Sequence, residues 1–202
     1  MDKLVIEGGH PLEGTVTTCG SKNAVLPILA AGLLTRGKLR ITNAPKLSDV
    51  DTMMQVLRDL ECSAERNADG VLELQPGPKL VNVAGWDNVR KMRGSVAVLG
   101  PLLARTGHAE VSLPGGCVFG VRPIDLHLKG MEALGARVKI EHGNVIAEAP
   151  RGGLRGAEMF LGGAFGSSVL GTANVMMAAV LAKGRTVIHG AACEPEVEDL
   201  GN

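Results

Sequence analysis

Aromatic side chains are almost missing: the 202 residues include three Phe, one Trp and no Tyr. Base-stacking platforms for single-stranded nucleic acid are therefore out of reach, and the core has to be aliphatic. An excess of either charge is missing too, because 21 Lys and Arg balance 21 Asp and Glu. No global field gathers nucleic acid or an acidic membrane surface, so a small molecule is the expected partner. Cys19, Cys62, Cys117 and Cys193 form no CxxC pair and no Cys/His set at zinc-ligand spacing, which argues against a structural metal. A long apolar run is also lacking. The longest, Ala24 to Leu34, is broken by Pro27 and Gly32, and the opening Met1-Asp2-Lys3-Leu4-Val5-Ile6-Glu7 has no signal-peptide pattern. The expectation is a reduced, cytoplasmic, soluble protein, and 45% hydrophobic residues suffice for one or two ordinary cores.

What is present is an internal repeat. Asp51, Asp125 and Asp199 lie 74 residues apart. Before each comes an apolar, helix-like run that stops on glycine and a short β-like run. The pairs are Ala24 to Gly37 then Leu39 to Ile41, Val96 to Gly107 then Ala109 to Val111, and Val169 to Gly184 then Thr186 to Ile188. After the first two aspartates come amphipathic helices, Thr52 to Leu60 and Leu126 to Leu134. Two hairpins follow, turning at Asn67-Ala68-Asp69-Gly70 and at His142-Gly143-Asn144. The third copy has no such continuation and stops where its second helix is due. Because the first helices are apolar on nearly every face and the second keep a polar one, the pattern predicts first helices inside and sheets outside.

Two segments carry chemistry. In Pro114-Gly115-Gly116-Cys117-Val118-Phe119-Gly120-Val121-Arg122-Pro123 a thiol sits among glycines beside a guanidinium. That environment lowers a cysteine pKa and can grip phosphate or carboxylate, whereas the bland reading makes Cys117 a small buried hydrophobe. In Thr18-Cys19-Gly20-Ser21-Lys22-Asn23-Ala24 a lysine opens an apolar helix, where free N–H groups and the helix dipole favour an anion. Its bland reading is a capped helix with a solvated lysine. Gly32-Leu33-Leu34-Thr35-Arg36-Gly37-Lys38-Leu39 imitates a nucleotide-binding P-loop but ends in Leu and leads from helix to strand, the reverse of the required order. The five histidines are scattered, and most are expected at the surface.

Together, Gly20-Ser21-Lys22-Asn23-Ala24-Val25-Leu26-Pro27, Asn43-Ala44-Pro45, Asp49-Val50-Asp51-Thr52, Met92-Arg93, Leu113-Pro114-Gly115-Gly116-Cys117, Arg122-Pro123-Ile124-Asp125-Leu126-His127 and Ala191-Ala192-Cys193-Glu194-Pro195-Glu196-Val197 closely resemble the UDP-N-acetylglucosamine 1-carboxyvinyltransferase family. The resemblance implies an inside-out α/β barrel built from βαβαββ units, the third truncated here. Residues 1–21 would be opening strands of an otherwise missing domain. Residues 22–202 would form one incomplete domain of three repeats, about 22–85, 86–155 and 156–202, with the enzyme's C-terminal half absent.

The activity so implied is transfer of enolpyruvyl from phosphoenolpyruvate to the 3-hydroxyl of UDP-N-acetylglucosamine by addition and elimination. It is the first committed step of peptidoglycan synthesis and needs no cofactor or metal. Matched by motif, Cys117 resembles the general acid that fosfomycin alkylates. Lys22, Asn23 and Arg122 resemble the phosphoenolpyruvate site; Asn23, Arg93, Arg122, Pro123, Ile124, Asp125 and Leu126 resemble contacts to the UDP-sugar. The family's aspartate base would lie in the absent half. One departure stands out: Ser168-Val169 is followed by Leu170 where the family usually has glycine. A noncatalytic ligand-binding remnant of the fold is the alternative function class.

Overall fold

The computed structural model describes residues 3–115, 123–164 and 166–202. In the first repeat, Ser21 caps helix α1 (Lys22–Ala31), its hydroxyl accepting the Ala24 N–H at 3.4 Å. A 3-10 turn, Gly32–Leu34, extends the helix towards strand β1 (Leu39–Ile41). Helix α2 (Ser48–Asp59) and strands β2 (Cys62–Arg66) and β3 (Leu72–Pro76) follow. The β2–β3 turn is organised by Asn67, whose side-chain oxygen accepts the N–H groups of Asp69 and Val71, both at 3.0 Å.

The second repeat runs through β4 (Val83–Ala84), a short helix α3 (Trp86–Val89), a 3-10 segment Arg93–Val98, α4 (Leu99–Thr106) and β5 (His108–Ser112). It closes with α5 (Asp125–Ala133), β6 (Arg137–Glu141) and β7 (Asn144–Glu148). His142 (φ 50°) and Gly143 (φ 77°) both take the left-handed conformation that a two-residue turn between twisted strands demands. The third repeat contains β8 (Glu158–Phe160), α6 (Val169–Val180), β9 (Val187–His189) and α7 (Pro195–Gly201).

Among the described residues three sheets result, ordered β1-β3-β2, β4-β5-β7-β6 and β8-β9. The hairpin pairs are antiparallel, in registers such as Ala64↔Leu74 and Val138↔Ala147. β4 runs parallel to β5 and β8 parallel to β9, each pair spanned by a buried first helix, which is the βαβ unit. Alternation places Cys62, Ala64, Leu72 and Leu74 inward while Ser63 and Glu65 face solvent.

The core lies between the first helices. Leu29 and Leu33 from the first repeat, Leu99, Leu102 and Leu103 from the second, and Val175 and Met177 from the third are all buried in one cluster. Complete burial of each leucine contributes about 1.5–3 kcal/mol. Helices α2, α5 and α7 flank them and keep wet faces at Arg58, Asp59, Lys129 and Glu132. Helix α7 packs on both α1 and α6, so the third repeat's second helix reaches the first repeat's first helix.

Where α4 crosses α6, the backbones nearly touch. A Cβ on Gly100 would be driven into the carbonyl of Asn174 and would stand 2.6 Å from its Oδ1. Glycine at this crossing permits a buried polar bond, Gly100 N–H donating to Asn174 Oδ1 at 2.6 Å.

Several expectations need correction. The second helix of the third repeat does form, as α7, because Pro195 opens it and Val197 finds apolar cover. Strands β4 and β8 and helix α3 escaped the sequence reading, and β4, counted with the first repeat, pairs with the sheet of the second. Residues 3–19 carry no helix or strand and are exposed, with Leu4, Ile6, Leu12 and Val16 at 85% exposure or more. The opening strands expected here are assigned to another domain, so the lack of a ladder among the described residues does not bear on them. Most of the histidines are exposed or half-buried, as expected, and His127 is the buried one at 1% exposure.

Candidate functional site

The amino-terminal ends of the three inner helical runs border a single cleft of about 330 Å³. From α1 come Lys22, Asn23 and Leu26, from the 3-10 start of the second run Met92, Arg93 and Gly94, and from α6 Val169 and Leu170. Asp49 of α2 and Glu196 of α7 complete the lining. Helix starts carry unpaired N–H groups and about half a positive charge each, so their convergence favours an anion even before side chains are counted. At α6, Ser168 caps the helix by accepting the Gly171 N–H at 3.1 Å.

Lys22 and Arg93 are the described cations of the cleft. The Lys22 ammonium meets the Asp49 carboxylate at 2.9 Å, with both side chains partly exposed. Arg93 reaches across to the start of α5, its Nη2 donating to the Pro123 carbonyl at 3.3 Å. Thus Lys22, Asn23 and Arg93, expected as site residues, share one cleft, and Pro123 is tied to it. Ile124 and Leu126 are buried, so their side chains serve packing, while Asp125 is exposed at the start of α5. None of these three lines the cleft. Cys117 and Arg122 lie outside the described residues.

Behind Arg93 lies a buried polar node. Gly100 can only donate, so the oxygen of Asn174 faces it. The Asn174 Nδ2 therefore gives its hydrogens to the Val96 carbonyl at 2.8 Å and to His127 Nδ1 at 3.0 Å. His127 is consequently the tautomer protonated on Nε2, a nitrogen that has no partner among the described residues. Burial, helped by the charge of Arg93 and opposed by Asp125, lowers its pKa to about 4. The imidazole is neutral at pH 7 and locks α4, α5 and α6 together beneath the cleft.

Asp49 and Glu196 were not read as site residues in the sequence. Each lies on a second helix and meets the cleft only through tertiary packing. The signal available was the repeat itself, which sets a second-helix start beside a first-helix start. A larger cleft of about 710 Å³, lined by Arg36, Gln75, Pro76, Gly77, Pro78, Arg105 and Leu181, opens at the carboxyl ends of the inner helices. There the helix dipoles oppose an anion, and no residue expected for substrate lies in it. Among the described residues no group of three or more His, Cys, Asp or Glu could hold a metal ion, and no helix is long and apolar enough to cross a membrane.

Comparison with known proteins gives one consistent result. The family model described as EPSP synthase (3-phosphoshikimate 1-carboxyvinyltransferase) matches residues 6–202. A UDP-N-acetylglucosamine 1-carboxyvinyltransferase of Methylacidiphilum infernorum is 52% identical over 203 residues, covering 100% of this chain and 47% of the relative. Its namesake from Anaeromyxobacter sp. (strain Fw109-5) is 52% identical over 202 residues, covering 99% and 47%. The chain spans about half the length of the curated relatives it matches. Among solved structures, the enolpyruvyl transferase NikO from Streptomyces tendae superposes with a TM-score of 0.79 at 20% identity, over 96% of this chain and 44% of that one. An EPSP synthase from Acinetobacter baumannii gives 0.65 at 19% identity, over 92% and 42%. These structural likenesses establish the inside-out α/β fold.

Proposed function

The chain belongs to the EPSP synthase family, and on that premise we propose that it supplies one wall of the active site of an enolpyruvyl transferase that acts on phosphoenolpyruvate and UDP-N-acetylglucosamine. One observation carries the reading: Lys22 and Arg93 stand at the amino ends of different inner helical runs and open into the same cleft. A phosphate or carboxylate placed there meets two cations and the positive poles of the helices. The names borne by relatives at 52% identity supply the substrates.

In this reading Lys22, Asn23 and Arg122 hold phosphoenolpyruvate. Asn23 also touches the UDP-sugar, which Arg93 and the segment Arg122, Pro123, Ile124, Asp125 and Leu126 face, Ile124 and Leu126 through their backbone. The sugar 3-hydroxyl oxygen bonds to C2 of phosphoenolpyruvate as its proton passes to a base, and Cys117 delivers a proton to C3. Loss of a C3 proton then re-forms the double bond as the C2–O bond to phosphate breaks. Inorganic phosphate and the enolpyruvyl ether are the products, with no oxidant, reductant or metal consumed. The same reading makes the reaction the committed step of peptidoglycan synthesis in the cytoplasm, with Cys117 the fosfomycin target.

The experiment is phosphate release from phosphoenolpyruvate and UDP-N-acetylglucosamine by residues 1–202 and by a chain joined to the C-terminal half of a relative. The joined chain should turn over and the short chain should not, since a general base contributes about 10²–10⁴-fold and none is matched in residues 1–202. Silence from both would favour the ligand-binding remnant. Equal turnover would place the base among Asp49, Asp51 and Asp125.

A further inference from the structure

The cleft is balanced in a way that anion binding alone does not explain. Its described titratable groups are two cations, Lys22 and Arg93, and two carboxylates, Asp49 and Glu196. Lys22, as the first residue of α1, suffers the positive pole of its own helix, so by itself the ammonium would be poorly placed. Asp49 removes that conflict. It lies in the first turn of α2, where the dipole favours a carboxylate, and it bonds the Lys22 ammonium at 2.9 Å. Glu196 is half-buried in the same cleft without being the partner of Lys22. The principal cation of the site is therefore already engaged by a carboxylate of its own chain, from an element 27 residues away in sequence.

We propose that Asp49 is the resident counterion of Lys22, a positioning residue that an entering phosphate or carboxylate must displace. The inference rests on the cleft being the anion site described above. With the cleft empty, Asp49 holds the ammonium pointed into it. When an anion arrives, Lys22 exchanges one oxygen partner for another, and the affinity measured is the difference between the two pairings. Removing the carboxylate while preserving the shape of the side chain then tightens anion binding, whereas a purely scaffolding role for Asp49 predicts weaker binding or none.

The test is titration of the 202-residue chain with inorganic phosphate and with phosphoenolpyruvate, followed by backbone amide shifts of Lys22 and Asn23. For Asp49→Asn the dissociation constants should fall about two- to fivefold, the range that an exposed ion pair supports. Asp51→Asn, on the same first turn but not paired with Lys22, should give less than half that gain; an equal gain overturns the specific pairing. In a Lys22→Gln background Asp49→Asn should bring no gain, and a gain there also overturns the proposal. Unchanged or weaker binding by Asp49→Asn, in a variant whose thermal unfolding shows it folded, ends the counterion role. If the parent chain still binds phosphate in that case, the reading of the cleft survives while this inference does not.

Discussion

Acid should weaken this protein through one imidazole. In the unfolded chain His127 titrates near its ordinary value of 6.5, and in the folded chain near 4, because burial away from water disfavours the cation. Above about pH 6.5 both states are neutral and nothing is lost. As pH falls from there towards 4, the unfolded chain takes up a proton that the native chain refuses, so stability drops across that window. With those two values the loss attributable to His127 at about pH 5 is about 2 kcal/mol, a sizeable part of a domain's total. The assay is urea unfolding of the parent and of His127→Gln, each from about pH 7 to pH 4. The variant is expected to be weaker at pH 7, because the Asn174 node is disturbed, but its profile should be flatter by about 2 kcal/mol between pH 7 and 5. Every other ionisable group is common to both proteins and cancels in the comparison. Parallel profiles would refute the buried-neutral assignment.

Two further outcomes follow from particular contacts. Gly100→Ala, which forces a Cβ into Asn174 at the α4–α6 crossing, should cost about 3 kcal/mol in urea unfolding, and a loss below about 0.5 kcal/mol would contradict the packing described. Limited iodoacetamide treatment with peptide mapping should label Cys62 last, as burial pushes its thiol up to about 11, and Cys117 first, from its glycine and arginine surroundings in sequence. Early labelling of Cys62 would mean that the first repeat opens readily.

Much of the architecture was legible because it repeats. Apolar runs ending on glycine located α1, α4 and α6 to within a few residues, and Asn67 and Gly143 marked the hairpin turns. Strands β4 and β8 were not legible because two or three residues carry no period, and their pairing is fixed by the helices they flank. At the site, Lys22 was visible from its place at the head of an apolar helix, a local fact. Asp49 and Glu196 were not, since what makes them part of the cleft is packing between repeats. His127 looked like a scattered surface histidine because its decisive partner, Asn174, is 47 residues away. Asn174 was not singled out either: with Thr172 it is a buried polar residue of a largely apolar helix, and the three hydrogen bonds that permit it there come from other elements.

The most direct test of the central claim is where the two substrates bind. Amide shifts of the 202-residue chain, mapped during titration with UDP-N-acetylglucosamine and then phosphoenolpyruvate, should move most at Lys22, Asn23, Arg93 and at Asp125 and Leu126, the start of α5. Lys22→Ala should abolish the response to phosphoenolpyruvate. Shifts gathered instead around Arg36 and Arg105, at the opposite ends of the helices, would contradict the assignment of the cleft.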